Sequence, residues 1–423
     1  MLRKRIKNVL ACTIGNTLEW FDYTLYGAFT TTLSELFFPF EDQSTSRIWV
    51  YLVFALGFFS RPVGGLLLGH IGDKVGRKMA LIISILTMAI PTFLIGILPT
   101  YSHIGVWAPI LLATIRFFQG VAIGGEFTGS MVYLVEQAPA KKRGFYGSWS
   151  DFGSPLGVLL GFLAVAVLSS ILTDDQFKTF GWRIPFLLSL LFAIFGAYLR
   201  FGIDETKDFA KSVRKTQSLP LAETLKNHKS TVFYGVSVAA YGGVTFYMLL
   251  TFLHNYLKVS GLATQQEASI FTIIANIFVT ATIPLGGLLS DKFTRKKVML
   301  FSIYAGMLIT PAMFYSLNFP DILFMKYSHV FCEILLGITL GIFFGGRAAF
   351  YSEAFPTHLR CTALALAFGI SHSCFAGTTP LISEVLLKTT ETINSLSIMM
   401  LIFSIFAIVS LYKLEDRTGK ELL

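Results

Sequence analysis

The 423-residue chain is 54% hydrophobic and 14% charged, with a mean hydropathy of +0.65. Soluble domains carry about a quarter charged residues, so this composition excludes a water-soluble enzyme or binding module and indicates a polytopic membrane protein. The net charge of +9 does not call for nucleic acid, because the basic residues sit in short loops between apolar runs, where they set membrane orientation.

Apolar runs of about 20 residues, each able to cross ~30 Å of hydrocarbon as a helix, recur at 9–35, 48–70, 79–99, 108–134, 145–171, 182–202, 232–257, 266–289, 298–318, 328–352, 362–387 and 392–412. The first has no small-residue cleavage site after it and is read as a retained helix, not a signal peptide. With the N-terminus inside, one set of loops collects Arg3 to Lys7, Lys74 to Lys78, Lys141 to Arg143, the basic residues from Arg200 to Lys229, Lys292 to Lys297, Arg360, and Lys413 to Lys420. The opposite loops hold Arg47, Lys178, Arg183, Lys258, Lys326 and Lys388. Both termini are therefore expected in the cytoplasm.

Arg61, Arg116 and Arg347 fall inside predicted helices, with Glu19, Asp22, Glu126, Asp151 and His372. Charges at bilayer depth are costly unless paired or hydrated, so the set implies a polar cavity between helices. The chain also repeats. GHIGDKVGRK at 69–78 returns as GLLSDKFTRK at 287–296, and EQAPAKKR at 136–143 returns as EAFPTHLR at 353–360, at the same spacing within one residue. A duplicated six-helix unit follows: an N-terminal half over 1–203, a basic cytoplasmic linker over 204–230 and a C-terminal half over 231–423. Two such halves around a mid-membrane site form an alternating-access transporter architecture.

GHIGDKVGRK resembles the loop signature of the major facilitator superfamily, with Gly69, Asp73, Gly76, Arg77 and Lys78 at matching positions. The second copy keeps Gly287, Asp291, Arg295 and Lys296 but has Thr294 in place of glycine. GNTLEWFDYTLYG at 15–27, SRPVGGLLLGHIGD at 60–73, RFFQGVAIGGEF at 116–127, GWRIPF at 181–186 and SEAFPTHLR at 352–360 together resemble the metabolite:H+ symporter family. That family includes proline/betaine, dicarboxylate, citrate and shikimate importers. The resemblance implies an all-α fold of twelve transmembrane helices, a multi-pass protein of the inner (cytoplasmic) membrane, and a proton gradient as driving force with no cofactor. Some members extend into a long C-terminal coiled coil. This chain runs only 11 residues past the last predicted helix, so osmotic regulation through such a tail is not expected.

Cys12, Asn16, Glu19, Tyr23, Tyr26 and Thr30 share one face of the first helix, with Asp22 bordering it. A buried carboxylate that gains and loses an Arg partner can take up and release a proton. Asp22 with Arg116 is the expected proton-coupling pair. The resemblance adds that Arg116 occupies the arginine of the family's fourth-helix motif, a position linked to coupling. Glu19 and Glu126 join the proton-coupling set, Glu126 by relaying a proton or pairing with Arg61. The alternative is a static ion pair that locks helices and never titrates.

Arg61 and Arg347 lie near mid-depth, one in each half, and an arginine can fork onto a carboxylate. They are the expected substrate anchors, with Tyr23, Tyr26, Gln119 and His372 as further lining residues; the alternative for Arg347 is a backbone carbonyl or an acid in its own half. On the cytoplasmic side Asp73, Arg77, Glu136, Arg143, Asp291, Arg295, Glu353 and Arg360 are expected to form pairs in one state and break them in the other. Gly153, Pro155, Gly157 and Gly161 allow helix 5 close contacts and a bend.

No GxxxxGK[ST] loop is present, the four cysteines lack metal-site spacing, and no nucleophile elbow appears, so neither ATP-driven pumping, a metal nor an enzyme is read. The expected activity is proton-coupled import of a small polar metabolite, a carboxylate or a zwitterion, by a monomer in the lipid bilayer. The alternatives are an exporter or uncoupled facilitator of the same fold, or a transport-inactive sensor or scaffold.

Overall fold

The computed structural model describes residues 2–40, 42–212, 220–319 and 323–423; Arg214 and Lys215 of the expected linker lie outside the described residues. Twelve long helical runs occur among them, and together they satisfy the backbone polar groups that hydrocarbon cannot. In the first half these are α1 (Leu2–Ala28), α2 (Thr45–Lys74), α3 (Arg77–Ile97), α4 (Trp107–Gln137), α5 (Arg143–Ile171) and α6 (Arg183–Phe201). In the second half they are α7 (Lys229–Val259), α8 (Gln265–Phe293), α9 (Arg295–Ser316), α10 (Leu323–Ala354), α11 (Thr357–Thr390) and α12 (Asn394–Lys413).

The first helix departs from the expected 9–35. It begins at Leu2 and stops at Ala28, and a separate short helix follows over Thr30–Phe37. Hydropathy registers only the apolar part of a helix, whereas the basic first turns here continue the same helix toward water. Short helices over Lys207–Ser212 and Pro220–Asn227 lie between α6 and α7.

Glycines set how closely the helices approach. A Cβ on Gly157 of α5 would lie 2.3 Å from the Thr17 carbonyl of α1, and one on Gly124 of α4 would lie 2.1 Å from the Arg61 carbonyl of α2. These backbone-to-backbone contacts bring the polar faces of α1, α2, α4 and α5 together. The other faces carry exposed Leu163, Leu191, Phe301 and Leu308, suited to lipid. The halves meet where α2 packs on α11 and where α5 packs on α8 and α10.

The one departure of the second loop repeat from glycine has a structural cost. Gly76 enters α3 at φ 139°, and Thr294 enters α9 at φ 85°, ψ 149°. A β-branched residue is strained there, by about 1–3 kcal/mol. Thr294→Gly is therefore expected to raise stability by about 1 kcal/mol, read as a higher midpoint of thermal unfolding in detergent; an unchanged or lower midpoint would refute the strain.

Candidate functional site

A cavity of about 30 Å³ lies between the halves, lined by Glu19 and Trp20 of α1, Arg61 of α2, Phe127 of α4, Asp151 and Ser154 of α5, Gly243, Phe246 and Tyr247 of α7, Phe344 and Arg347 of α10, and His372 of α11. It has room for about one or two waters. Aromatic rings from the two halves meet at its wall, Trp20 with Phe246 at 5.3 Å and with Tyr247 at 6.3 Å between centroids. Tyr247 directly precedes a π-helical turn at Met248–Phe252, and His372 opens another at His372–Ala376. Such insertions re-aim side chains and recur at functional sites.

The polar atoms of this cavity are under-satisfied. Arg61 Nη2 stands 3.5 Å from Glu19 Oε1, and Arg61 Nε donates to the Tyr23 hydroxyl at 3.4 Å. Glu19 Oε2, Trp20 Nε1, Arg61 Nη2, Asp151 Oδ2 and Ser154 Oγ are all buried without a hydrogen-bond partner. Buried polar groups are normally paired, and these five donors and acceptors around one cavity are free to pair with water or with a polar ligand. Arg347 donates through Nε to Asp151 Oδ1 at 3.0 Å, and its Nη2 contacts the same oxygen. Its partner is thus neither a carbonyl nor an acid of its own half: the pair crosses from α10 to α5. Phe344 lies under the Arg347 guanidinium at 4.0 Å. His372 Nδ1 lies 3.0 Å from the Phe368 carbonyl.

A second buried cluster sits beside the cavity. Asp22 Oδ2 accepts from Arg116 Nη1 at 2.8 Å and from Gln119 Nε2 at 3.0 Å, and Gln119 Nε2 also donates to Thr92 Oγ1 at 2.8 Å. The Arg116 guanidinium lies 3.9 Å from the Tyr26 ring centre. Tyr26 and Gln119 therefore belong to this cluster, and neither they nor Tyr23 line the cavity. Tyr23 links the two sites, with the Arg61 guanidinium at 4.6 Å and that of Arg116 at 5.1 Å from its ring centre.

Glu126 does not pair with Arg61. It is held by Arg200 of α6, whose Nη1 donates at 2.7 Å and whose Nη2 contacts the other oxygen, and Ser84 Oγ also donates to it. Arg200 further donates to the carbonyls of Ala11 at 3.0 Å and of Leu81. Counted above with the cytoplasmic loop charges, Arg200 is completely buried. Its place at the end of an apolar run made it look like a loop residue. Glu333 of α10, also buried, with Oε1 unpartnered, is missing from the ionisable set, although a lone acid in an apolar run is the signal that finds it.

The residues expected on the cytoplasmic side form a latch with two matching parts. Asp73 at the end of α2 accepts from the backbone N–H groups of Cys361 at 3.0 Å and Thr362 at 2.8 Å, at the start of α11. Asp291 at the end of α8 accepts from those of Gly144 and Phe145, both at 2.8 Å, at the start of α5. Each acid thus caps a helix of the opposite half, where unpaired N–H groups and the helix dipole favour a carboxylate. Arg77 meets Glu136 at 3.2 Å and Arg295 meets Glu353 at 3.3 Å; Arg360 reaches across to Glu136 at 2.6 Å, and Arg143 to Glu353 at 3.6 Å. These ends of the two halves are held together. Residues after α12 pack beneath them, with Arg143 donating to the Lys420 carbonyl at 2.6 Å.

Replacing Asp73 by Asn removes a charged acceptor whose hydrogen bonds are worth about 1.5–3 kcal/mol each. The expected result is labelling of buried Cys361 by a maleimide at least about tenfold faster, because the latch opens more often. Unchanged labelling would show that Asp73 does not hold the halves shut.

A family model for the Major Facilitator Superfamily matches residues 13–378. The chain is 33% identical over 427 residues to the glycine betaine/proline/ectoine/pipecolic acid transporter OusA of Dickeya dadantii, covering 98% of this chain and 84% of that one. It is 34% identical over 428 residues to a proline/betaine transporter of Salmonella typhimurium, with the same coverage. In architecture it is similar to the proton:xylose symporter XylE, with a TM-score of 0.81 over 99% of this chain and 98% of that one at 19% identity. Two pseudo-repeated halves, the paired latch and these matches lead to one assignment: the chain belongs to the major facilitator superfamily.

Proposed function

We propose that this protein imports a small organic solute bearing a carboxylate, as an acid or a zwitterion, by proton symport with alternating access. It works as a monomer in the cytoplasmic membrane with both termini inside. The observation that carries the reading is the pairing of two sites: a cavity between the halves with five orphaned polar atoms, and the Asp22–Arg116 pair beside it, joined through Tyr23. The names of the relatives, proline/betaine transporters, support the solute class.

When Asp22 is ionised, Arg116 and Gln119 hold it and α1 is tied to α4. Protonation removes the charge that Arg116 answers, so the tie weakens and α1 is free to shift. Glu19 sits one turn away on α1, so the same shift moves it relative to Arg61, and solute binding and proton binding favour the same rearrangement. The latch acids Asp73 and Asp291 then exchange their helix caps for water as the cytoplasmic side opens.

The test is uptake into proteoliposomes with the interior alkaline, using labelled proline, glycine betaine, 2-oxoglutarate and citrate. Accumulation of one solute that a protonophore abolishes supports the reading. Equilibration without accumulation, or no movement of any of these solutes, would overturn it.

A further inference from the structure

We propose that Asp151 is the specificity-determining residue of the cavity: it keeps the site electrically neutral and supplies the anion for the cationic end of a zwitterion, so that zwitterions enter and anions are refused. The inference rests on the transport reading above and adds the charge class of the solute.

Two acids and two arginines line the cavity, Glu19 and Asp151 with Arg61 and Arg347. With both acids ionised the four cancel, and a solute of net charge would leave an uncompensated charge in a water-poor space. A zwitterion would not. The two ion pairs are also unequal. Arg347 spends two donors on Asp151, both on Oδ1, whereas Arg61 is 3.5 Å from Glu19 with Nη2 unbonded. A buried donor free to receive a carboxylate is therefore on Arg61, while Nε and Nη2 of Arg347 orient Asp151.

That orientation leaves Asp151 Oδ2 without a partner, beside the equally unpartnered Ser154 Oγ one turn along α5. The rings of Trp20, Phe246, Tyr247 and Phe344 line the same cavity, and such ring faces attract a cation once water is excluded. A carboxylate on Arg61 and an ammonium or quaternary nitrogen between Asp151 Oδ2 and these rings gives the orphaned Arg61 Nη2 and Asp151 Oδ2 each a partner of the right sign. Because Asp151 belongs to one half and Arg347 to the other, the cationic pocket is complete only when the halves are closed on each other.

The experiment compares transport and competition binding of glycine betaine and succinate in reconstituted wild type, Asp151→Asn, Asp151→Glu and the double variant Asp151→Asn/Arg347→Gln. Wild type is expected to favour glycine betaine. Asp151→Asn frees Arg347 and adds one positive charge, so the ratio of succinate to betaine kcat/KM should rise at least about tenfold, a change of 1.4 kcal/mol in discrimination. Asp151→Glu should keep the wild-type order. The double variant, which restores neutrality without the anion, should raise the betaine KM at least about tenfold without gaining succinate; it carries the test if the single variant does not fold. An unchanged ratio in Asp151→Asn, or a wild-type betaine KM in the double variant, would overturn the proposal. Failure of wild type to move either solute would instead count against the transport reading itself.

Discussion

Asp22→Asn is expected to abolish accumulation against a gradient while leaving exchange of solute across the membrane. Asparagine is isosteric with a protonated aspartate and cannot release a proton, so the variant is fixed in the state that proton binding produces. Its amide oxygen can still accept from Arg116 and Gln119. Arg116, 1% exposed, loses its counter-charge but keeps the Gln119 oxygen at 2.8 Å and the Tyr26 ring at 3.9 Å. Leaving a buried charge without its partner costs up to about 3–5 kcal/mol; those remaining contacts soften the loss. Uphill uptake should fall to the level of protonophore-treated wild type, while counterflow of preloaded solute continues. Retained uphill uptake would move the proton site away from Asp22. Loss of both uptake and counterflow would mean that the pair is a static helix lock.

Arg200→Leu should have the largest effect on stability. The arginine meets a carboxylate, two carbonyls and a hydroxyl contributed by α1, α3 and α4, and no water replaces it because the site is fully buried. Removing it leaves Glu126 without its counter-charge in a dry interior, with only the Ser84 hydroxyl still donating to it, a loss of about 3–5 kcal/mol, to be read as a sharply lowered unfolding midpoint and poor recovery from the membrane. Replacing both partners by apolar residues, Arg200→Leu with Glu126→Leu, should recover much of that loss, since a buried ion pair is often no better than a packed apolar pair. If the double variant is stable and still accumulates solute, Glu126 serves packing; if it is stable and accumulation fails, Glu126 takes part in proton movement.

The sequence by itself determined the class of protein, the number and order of its helices and its duplication. These are one-dimensional properties: an apolar run is long enough to cross hydrocarbon or it is not, and a repeat is read by aligning the chain with itself. It also made Asp22 and Arg116 partners, because depth along a membrane helix follows from position at 1.5 Å per residue. Azimuth and neighbour do not follow so simply. Only the tertiary structure paired Arg347 with Asp151 across the halves, moved Glu126 from Arg61 to Arg200, and withdrew Arg200 from the loop charges. It also gave Asp73 and Asp291 their acceptor role, since their donors are backbone N–H groups that leave no mark in side-chain pattern. A charge in a membrane must find a partner, which the sequence states as a requirement; which partner it finds depends on how twelve helices rotate and tilt against one another, and that is settled by glycine contacts and side-chain packing between segments far apart in the chain.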